Sequence, residues 1–384
     1  ASTYYPVVLA AVPESAIRFH NYNYKGKFTM SPFKTARSTA TVAGLFSILL
    51  ALPAAAQSGN NSWTISSREL APPVHASPEL AASIANSPQP DVRSNGSQFP
   101  ATDAEWIAMQ AAASSANPLP ALAASMNLQF ETIDMAGVTV YTVTPERIAR
   151  QHRGHVFLHL HGGGYVLGGG PGAAAEAAQI AAAAGIYTVS VDYRMPPAHP
   201  FPAAIDDAIA VYKELLEDYD ADEIAIGGTS AGAGLSFATV LEAKNQNLPV
   251  PAAIFAGTPW ADLTDTSDSL HVNEGIDRIL VSYPGLLKIG ADLYANGEEL
   301  LNPLLSPLYG DFSGFPPTIL ISGTRDMLLS DTARAQRKLL DAGVEAELHV
   351  LEGMSHAEYM IQPGSPEGKA VYLSVAAFLQ KHMD

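Results

Sequence analysis

The chain of 384 residues contains no cysteine. That absence excludes a disulfide framework, a thiol nucleophile, a cysteine-built zinc site and a thiolate-held iron–sulfur cluster. Positive charge is scarce as well: 21 Lys and Arg face 38 Asp and Glu, a formal net charge of -17, and the basic residues cluster nowhere. Phosphate backbones and anionic lipid surfaces are held by basic patches, so neither nucleic acid nor a charged membrane surface is expected as a partner. Long apolar runs are missing too. The run from Val42 to Leu52 falls well short of the roughly 20 residues that cross a bilayer core, so no stable membrane span is expected. What is present is material for a core. Hydrophobic residues make up 47% of the chain, enough for one large domain with an appendage or for smaller domains of about 150 residues each.

Residues 30–56 have the order of a secretory signal peptide: Met30, then Lys34 and Arg37, then the apolar run, then Pro53-Ala54-Ala55-Ala56. This predicts a periplasmic or secreted protein, with residues 1–29 an upstream leader or remnant that takes no part in the fold. Residues 57–127 read as an N-terminal helical cap region. Ser77-Pro78-Glu79 and Thr102-x-x-Glu105 are helix starts, the second a capping box that satisfies amides at both of its ends.

From residue 128 to 384 short β-branched runs alternate with Ala-rich helical stretches. Strands are expected near 128–133, 138–144, 155–160, 187–192, 223–227, 252–256, 318–322 and 346–351. Helices are expected near 173–184, 203–217, 231–244, 331–342 and 366–381. The alternation predicts an α/β fold with a mostly parallel eight-stranded sheet flanked by helices, its ligands bound beyond the carboxyl ends of the strands. The stretch 261–315 breaks the rhythm and reads as an insertion over that same edge, with a helical piece around Pro284 to Tyr294. The strand near 346–351 offers an edge at which a homodimer can form.

Gly228-Thr229-Ser230-Ala231-Gly232 follows the apolar strand ending at Gly227 and precedes a helical pattern. Strand, tight turn and helix are the setting of a nucleophile elbow, where small residues flank the serine because the turn has no room for side chains. Serine at its ordinary pKa needs a base, and the base needs an acid to orient it. Asp326 lies directly after the strand Thr318 to Ser322, and His356 directly after the strand Ala346 to Leu351. The order Ser, Asp, His is the order that α/β-hydrolases use. His349 inside a strand, His382 in the last helix and His271 in the insertion fit less well. Asp331 fits as the N-cap or first-turn residue of a helix. The glycine loop His161-Gly162-Gly163-Gly164 follows the strand ending at Leu160 and supplies backbone amides for a developing oxyanion.

On these motifs the chain resembles the bacterial hormone-sensitive-lipase-like carboxylesterases of the α/β-hydrolase superfamily. Also in place are Asp192-Tyr193-Arg194, His199-Pro200-Phe201-Pro202-Ala203-Ala204, Asp206-Asp207, Asn302-Pro303, Ser306-Pro307-Leu308 and Gly314-Phe315-Pro316-Pro317. The resemblance implies Ser230 as nucleophile with Asp326 and His356, the amides of Gly163, Gly164 and Ala231 as oxyanion hole, and a cap built mainly from the N-terminal helices. It further implies a serine carboxylesterase acting on small, short-chain acyl esters through an acyl-enzyme, without cofactor or metal. Thr229 before the nucleophile points to the Gly-Thr-Ser-Ala-Gly branch. Met195-Pro196-Pro197-Ala198 replaces the frequent Leu-Ala-Pro-Glu, and Ala357 stands where glycine is usual.

Three other readings compete. Gly168-x-Gly170-x-x-Ala173 with Asp192 resembles a dinucleotide fingerprint, but His161 to Leu167 separate it from its strand and Pro171 removes an amide from the loop. His155, His159 and His161 share a strand face, but lack the following Asp or second His of a metal hydrolase. A ligand-binding homologue without catalysis is the third, and His356 speaks against it.

Overall fold

The β-branched runs become strands close to their expected places, and the Ala-rich runs between them become helices. The computed structural model describes residue 67 and residues 69–383, so the leader read at 1–29 and the signal peptide read at 30–56 lie outside the described residues. One sheet is formed by β1 (Leu128–Met135), β2 (Val138–Pro145), β3 (Val156–Leu160), β4 (Tyr187–Val191), β5 (Ile224–Thr229), β6 (Ala253–Gly257), β7 (Thr318–Gly323) and β8 (Ala346–Leu351). Across it the order is β1-β2-β4-β3-β5-β6-β7-β8. β2 pairs antiparallel with β1 and β4, and all remaining pairs are parallel. β1 and β2 need only a two-residue turn, Ala136-Gly137, with both residues at positive φ, which matches the twist of a hairpin. The parallel strands need crossovers, and helices supply them.

Period-two alternation divides the core. Val156, Leu158 and Leu160 of β3 face one side with Ile224, Ile226, Ile254 and Leu320, where α5 (Ala203–Asp218), α6 (Ala231–Asn245) and α9 (Leu329–Asp341) cover them. Phe157 faces the other side with Phe255, Ile319 and Ile321, beneath α4 (Ala174–Ala184) and α11 (Pro366–His382). Each fully buried side chain of this size contributes about 1.5–3 kcal/mol relative to exposure. The alanines of α4 bring that helix close to β2 and β4.

The three N-terminal helices have different places. α1 (Pro78–Asn86), capped by Ser77, buries Leu80 and Ile84 in the layer with α11, Met354 and Tyr359 of the short α10 (Glu358–Ile361). α2 (Asp103–Ser114) begins with the expected capping box, buries Trp106, and extends Gln110 to the carbonyls of Val166 (2.9 Å) and Pro196 (2.8 Å). α3 (Leu119–Met126) packs on β1 and α4. The stretch 261–315 carries α7 (Asp268–Val272) and α8 (Leu286–Ala295) and lies against the loops that leave β3, β7 and β8. Residues 69–383 fall in one compact unit. Among the described residues no helix is long and apolar enough to cross a membrane.

Candidate active site

β5 ends at Thr229 and α6 begins at Ala231, which leaves Ser230 alone to turn the chain. Its φ is 64° and its ψ -122°, a strained region for a residue with a side chain. The turn is held from both sides. The Ser230 amide donates to Gly257 O (2.8 Å), and its carbonyl accepts from the amides of Gly234 and Trp260 (both 3.1 Å). Gly228 and Gly232 are required by proximity: a Cβ on either would collide with the carbonyl oxygen of Leu160. Trp260 is fully buried beside Gly234 and Tyr165, so it packs the elbow and does not line a surface.

The three candidate catalytic side chains form one hydrogen-bonded line. His356 Nε2 lies 2.9 Å from Ser230 Oγ, and His356 Nδ1 lies 3.0 Å from Asp326 Oδ1. Asp326 is fully buried and accepts further bonds from the Leu328 amide (2.8 Å) and Ser322 Oγ (2.7 Å). Burial disfavours the charged imidazole, but Asp326 beside it, and Asp277 behind, outweigh that and raise His356 above the usual histidine range. The arrangement can take a proton from Ser230 and stabilise the imidazolium that results.

The glycine loop lies on the other side of Ser230. Gly163 has φ +107°, and a Cβ there would strike the backbone of Leu167, so the loop can fold this way only with glycine. Among the described residues the amides of Gly163, Gly164 and Ala231 donate to no protein acceptor, which leaves them available to an oxyanion. His161 fixes the loop at its base: Nδ1 donates to Gly162 O (2.7 Å), and the ring stacks on Tyr193 with centroids 3.9 Å apart. Burial pushes the His161 pKa down to about 3, so this ring is neutral and structural. α8 supports the loop from outside, with Leu286 against Gly164, and Tyr294 stacked on Tyr165 at 3.9 Å.

The rival motifs are engaged elsewhere. Asp192 Oδ1 accepts from the Gly170 amide (2.9 Å), so the carboxylate that a ribose would need closes its own loop. His155 faces His152, His159 lies between Ser190 and Glu176, and His161 is used as above. His349 pairs with Glu347 (2.6 Å).

Four acidic residues near the site carry more than the sequence suggested. Asp331 does fall in the first turn of α9, but the helix starts two residues earlier and the carboxylate faces inward. It accepts from the amides of Ala261 (3.0 Å) and Asp262 (2.9 Å) and from Ser267 Oγ, and burial pushes it up to about 7. Glu176, a single acid on an alanine face, accepts from Thr229 Oγ1 and lies 3.1 Å from His159; Thr229 also meets Tyr359 OH at 2.6 Å. That lone charge among alanines was the available signal. Glu358 pairs with Arg278 and accepts from the Ser355 amide (3.0 Å). Asp277 sits in the stretch without periodicity, where no pattern marked it.

A serine hydrolase arrangement at the carboxyl edge of a mainly parallel sheet defines the class. A family model described as an alpha/beta hydrolase fold matches residues 157–360. An acetyl-hydrolase of Streptomyces hygroscopicus is 35% identical over 246 residues, covering 63% of this chain and 81% of that protein. An esterase of Acinetobacter venetianus is 32% identical over 253 residues, covering 65% and 82%. The crystal structure of esterase E25 superposes with a TM-score of 0.81 at 43% identity, over 84% of this chain and all of that one. An esterase from the bacterial hormone-sensitive lipase family superposes with a TM-score of 0.68 at 32% identity, over 80% and 99%. The chain belongs to the hormone-sensitive-lipase-like carboxylesterases of the α/β-hydrolase superfamily.

Proposed function

We propose that the protein hydrolyses small, short-chain acyl esters through an acyl-enzyme on Ser230. The observation that carries this reading is the continuous line Ser230–His356–Asp326, at 2.9 and 3.0 Å, beside a glycine loop whose amides are free to donate. His356 takes the proton of Ser230 as Oγ attacks the ester carbonyl, and Asp326 holds the imidazole with Nε2 toward the serine. The amides of Gly163, Gly164 and Ala231 receive the charge that develops on the carbonyl oxygen. His356 then protonates the leaving alcohol. Water attacks the acyl-enzyme by the same route in reverse, and acid and Ser230 are released. The short-chain preference is supported by a relative named an acetyl-hydrolase. Export by the segment 30–56 is part of the same reading; a mature protein that retains Met30 to Ala56 after secretion would contradict it.

The test is a p-nitrophenyl ester series from acetate to laurate on wild type and Ser230→Ala. Wild type should favour the short esters, and Ser230→Ala should lower kcat by about 10³-fold or more. An unchanged rate in that variant would sink the assignment. Because His356 must be neutral to act as base and its pKa is raised, the acid limb of kcat/KM should lie above the usual histidine value of about 6.5.

A further inference from the structure

Asp277 belongs to the insertion, more than forty residues after the elbow helix begins and some fifty before the catalytic acid, yet it is fully buried at the centre of the acid–histidine half of the site. Its two oxygens accept four backbone N–H bonds. Oδ1 takes Ile279 (2.8 Å) and Leu280 (3.1 Å) from its own turn. Oδ2 takes Met327 (2.9 Å), the residue after Asp326, and His356 itself (3.2 Å). The neighbours act in the same direction. Asn273 Nδ2 donates to Asp326 O (2.8 Å), and the Arg278 amide donates to Ser355 Oγ (3.1 Å). One short segment thus grips both loops that carry the base and its acid.

We propose that Asp277 is a positioning residue of this active site: a second buried carboxylate that fixes the backbone of the Asp326 and His356 loops and helps to hold the imidazolium formed during proton transfer. The proposal rests on the reading of Ser230, His356 and Asp326 as the catalytic triad. The charges facing His356 are few. Asp326 comes from the loop after β7 and Asp277 from the insertion, while Glu358, two residues on in its own loop, is engaged by Arg278. Tyr359 directs its hydroxyl to Thr229. Burial and the charge of Asp326 raise the Asp277 carboxyl, and His356 and the N–H donors oppose that rise. Two acids and one imidazole therefore share the proton balance of the site.

A purely structural carboxylate would affect stability without moving the titration of His356. Asparagine at 277 keeps the size but offers one acceptor oxygen, and sets an NH₂ group against two N–H donors. In Asp277→Asn, kcat on p-nitrophenyl acetate should fall about 10- to 100-fold with KM within about threefold, and the acid limb should move to lower pH by about half a unit or more. A variant with wild-type near-UV circular dichroism, kcat within about twofold and an unmoved limb overturns the proposal. Asp277→Glu is measured beside it, and decides alone if the asparagine variant does not fold. It keeps the charge on a longer arm, so it should retain the acid limb while kcat falls; wild-type kcat in that variant overturns the proposal. Ser230→Ala in the same assay separates the two levels. Its full activity would refute the triad, whereas its inactivity beside an unaffected Asp277→Asn would refute only the role of Asp277.

Discussion

Asp331 shows what a single buried acid does to the pH dependence of stability. Its carboxyl is pushed up to about 7 from an ordinary 3.8, chiefly by burial. Between those values the unfolded chain holds the charge and the folded chain holds the proton. The unfolded state then binds fewer protons, so this group's contribution declines as the pH rises from about 4 to about 7 and is constant above. Asparagine can make the same contacts, its oxygen accepting from Ala261 and Asp262 and its NH₂ facing Ser267 Oγ, without a charge to bury. Urea titrations of Asp331→Asn and wild type should therefore show the variant gaining on the wild type, by about 1–3 kcal/mol, between pH 4.5 and pH 8. A constant difference across that range would mean that Asp331 is already ionised in the fold at low pH. At this scale the hydrogen-bonded line of Ser230, His356 and Asp326 was legible because each of the three follows a strand. Asp277, Glu358 and the inward turn of Asp331 were not, since their partners lie 50 or more residues away and nothing local records such contacts.

At the scale of elements, period and turn chemistry located every strand to within a residue or two, and most plainly the central strands β3 to β7, where burial on both faces leaves dense apolar runs. β8 falls at Ala346–Leu351, the range expected, while β5 runs two residues beyond its expected end because Gly228 and Thr229 still pair with β6. The insertion resisted for a physical reason. Its residues pack on loops, not on a sheet face, so neither the 3.6 nor the 2.0 period is imposed on them. α8 was nevertheless placed, and its position makes it the outer support of the glycine loop at Gly163 and Gly164. Gly290 allows that approach: a Cβ there would lie 2.5 Å from the carbonyl oxygen of Gly164. Gly290→Ala should push helix and loop apart and lower kcat about tenfold or more, toward the loss of a whole oxyanion donor. The Ser230–His356 pair is held by other contacts, so the acid limb should stay where it is. A variant with unaltered kcat would show that the loop keeps its shape without α8.

For the whole molecule, an acidic surface and an absence of cysteine set conditions that no single site reveals. The formal charge of -17 gives the molecule a net negative field, and two arginines at the acid–histidine loops do little to offset it there, since Arg278 is bound to Glu358 and Arg325 is directed to Ala71 O. A neutral ester crosses that field unhindered, but an ester bearing a carboxylate is repelled on approach. The repulsion is long-range and screened over roughly 10 Å at 0.1 M salt, so it should vanish as salt is added. Paired measurements on p-nitrophenyl acetate and on mono-p-nitrophenyl succinate isolate the effect, because both esters present the same leaving group to Ser230. From about 10 to about 200 mM NaCl, kcat/KM for the succinate should rise about two- to fivefold while that for the acetate stays level. A parallel rise for both would point to salt acting on the fold. A level response for both would place the negative charge away from the path to the elbow, and leave the acidity with solubility as its remaining physical consequence.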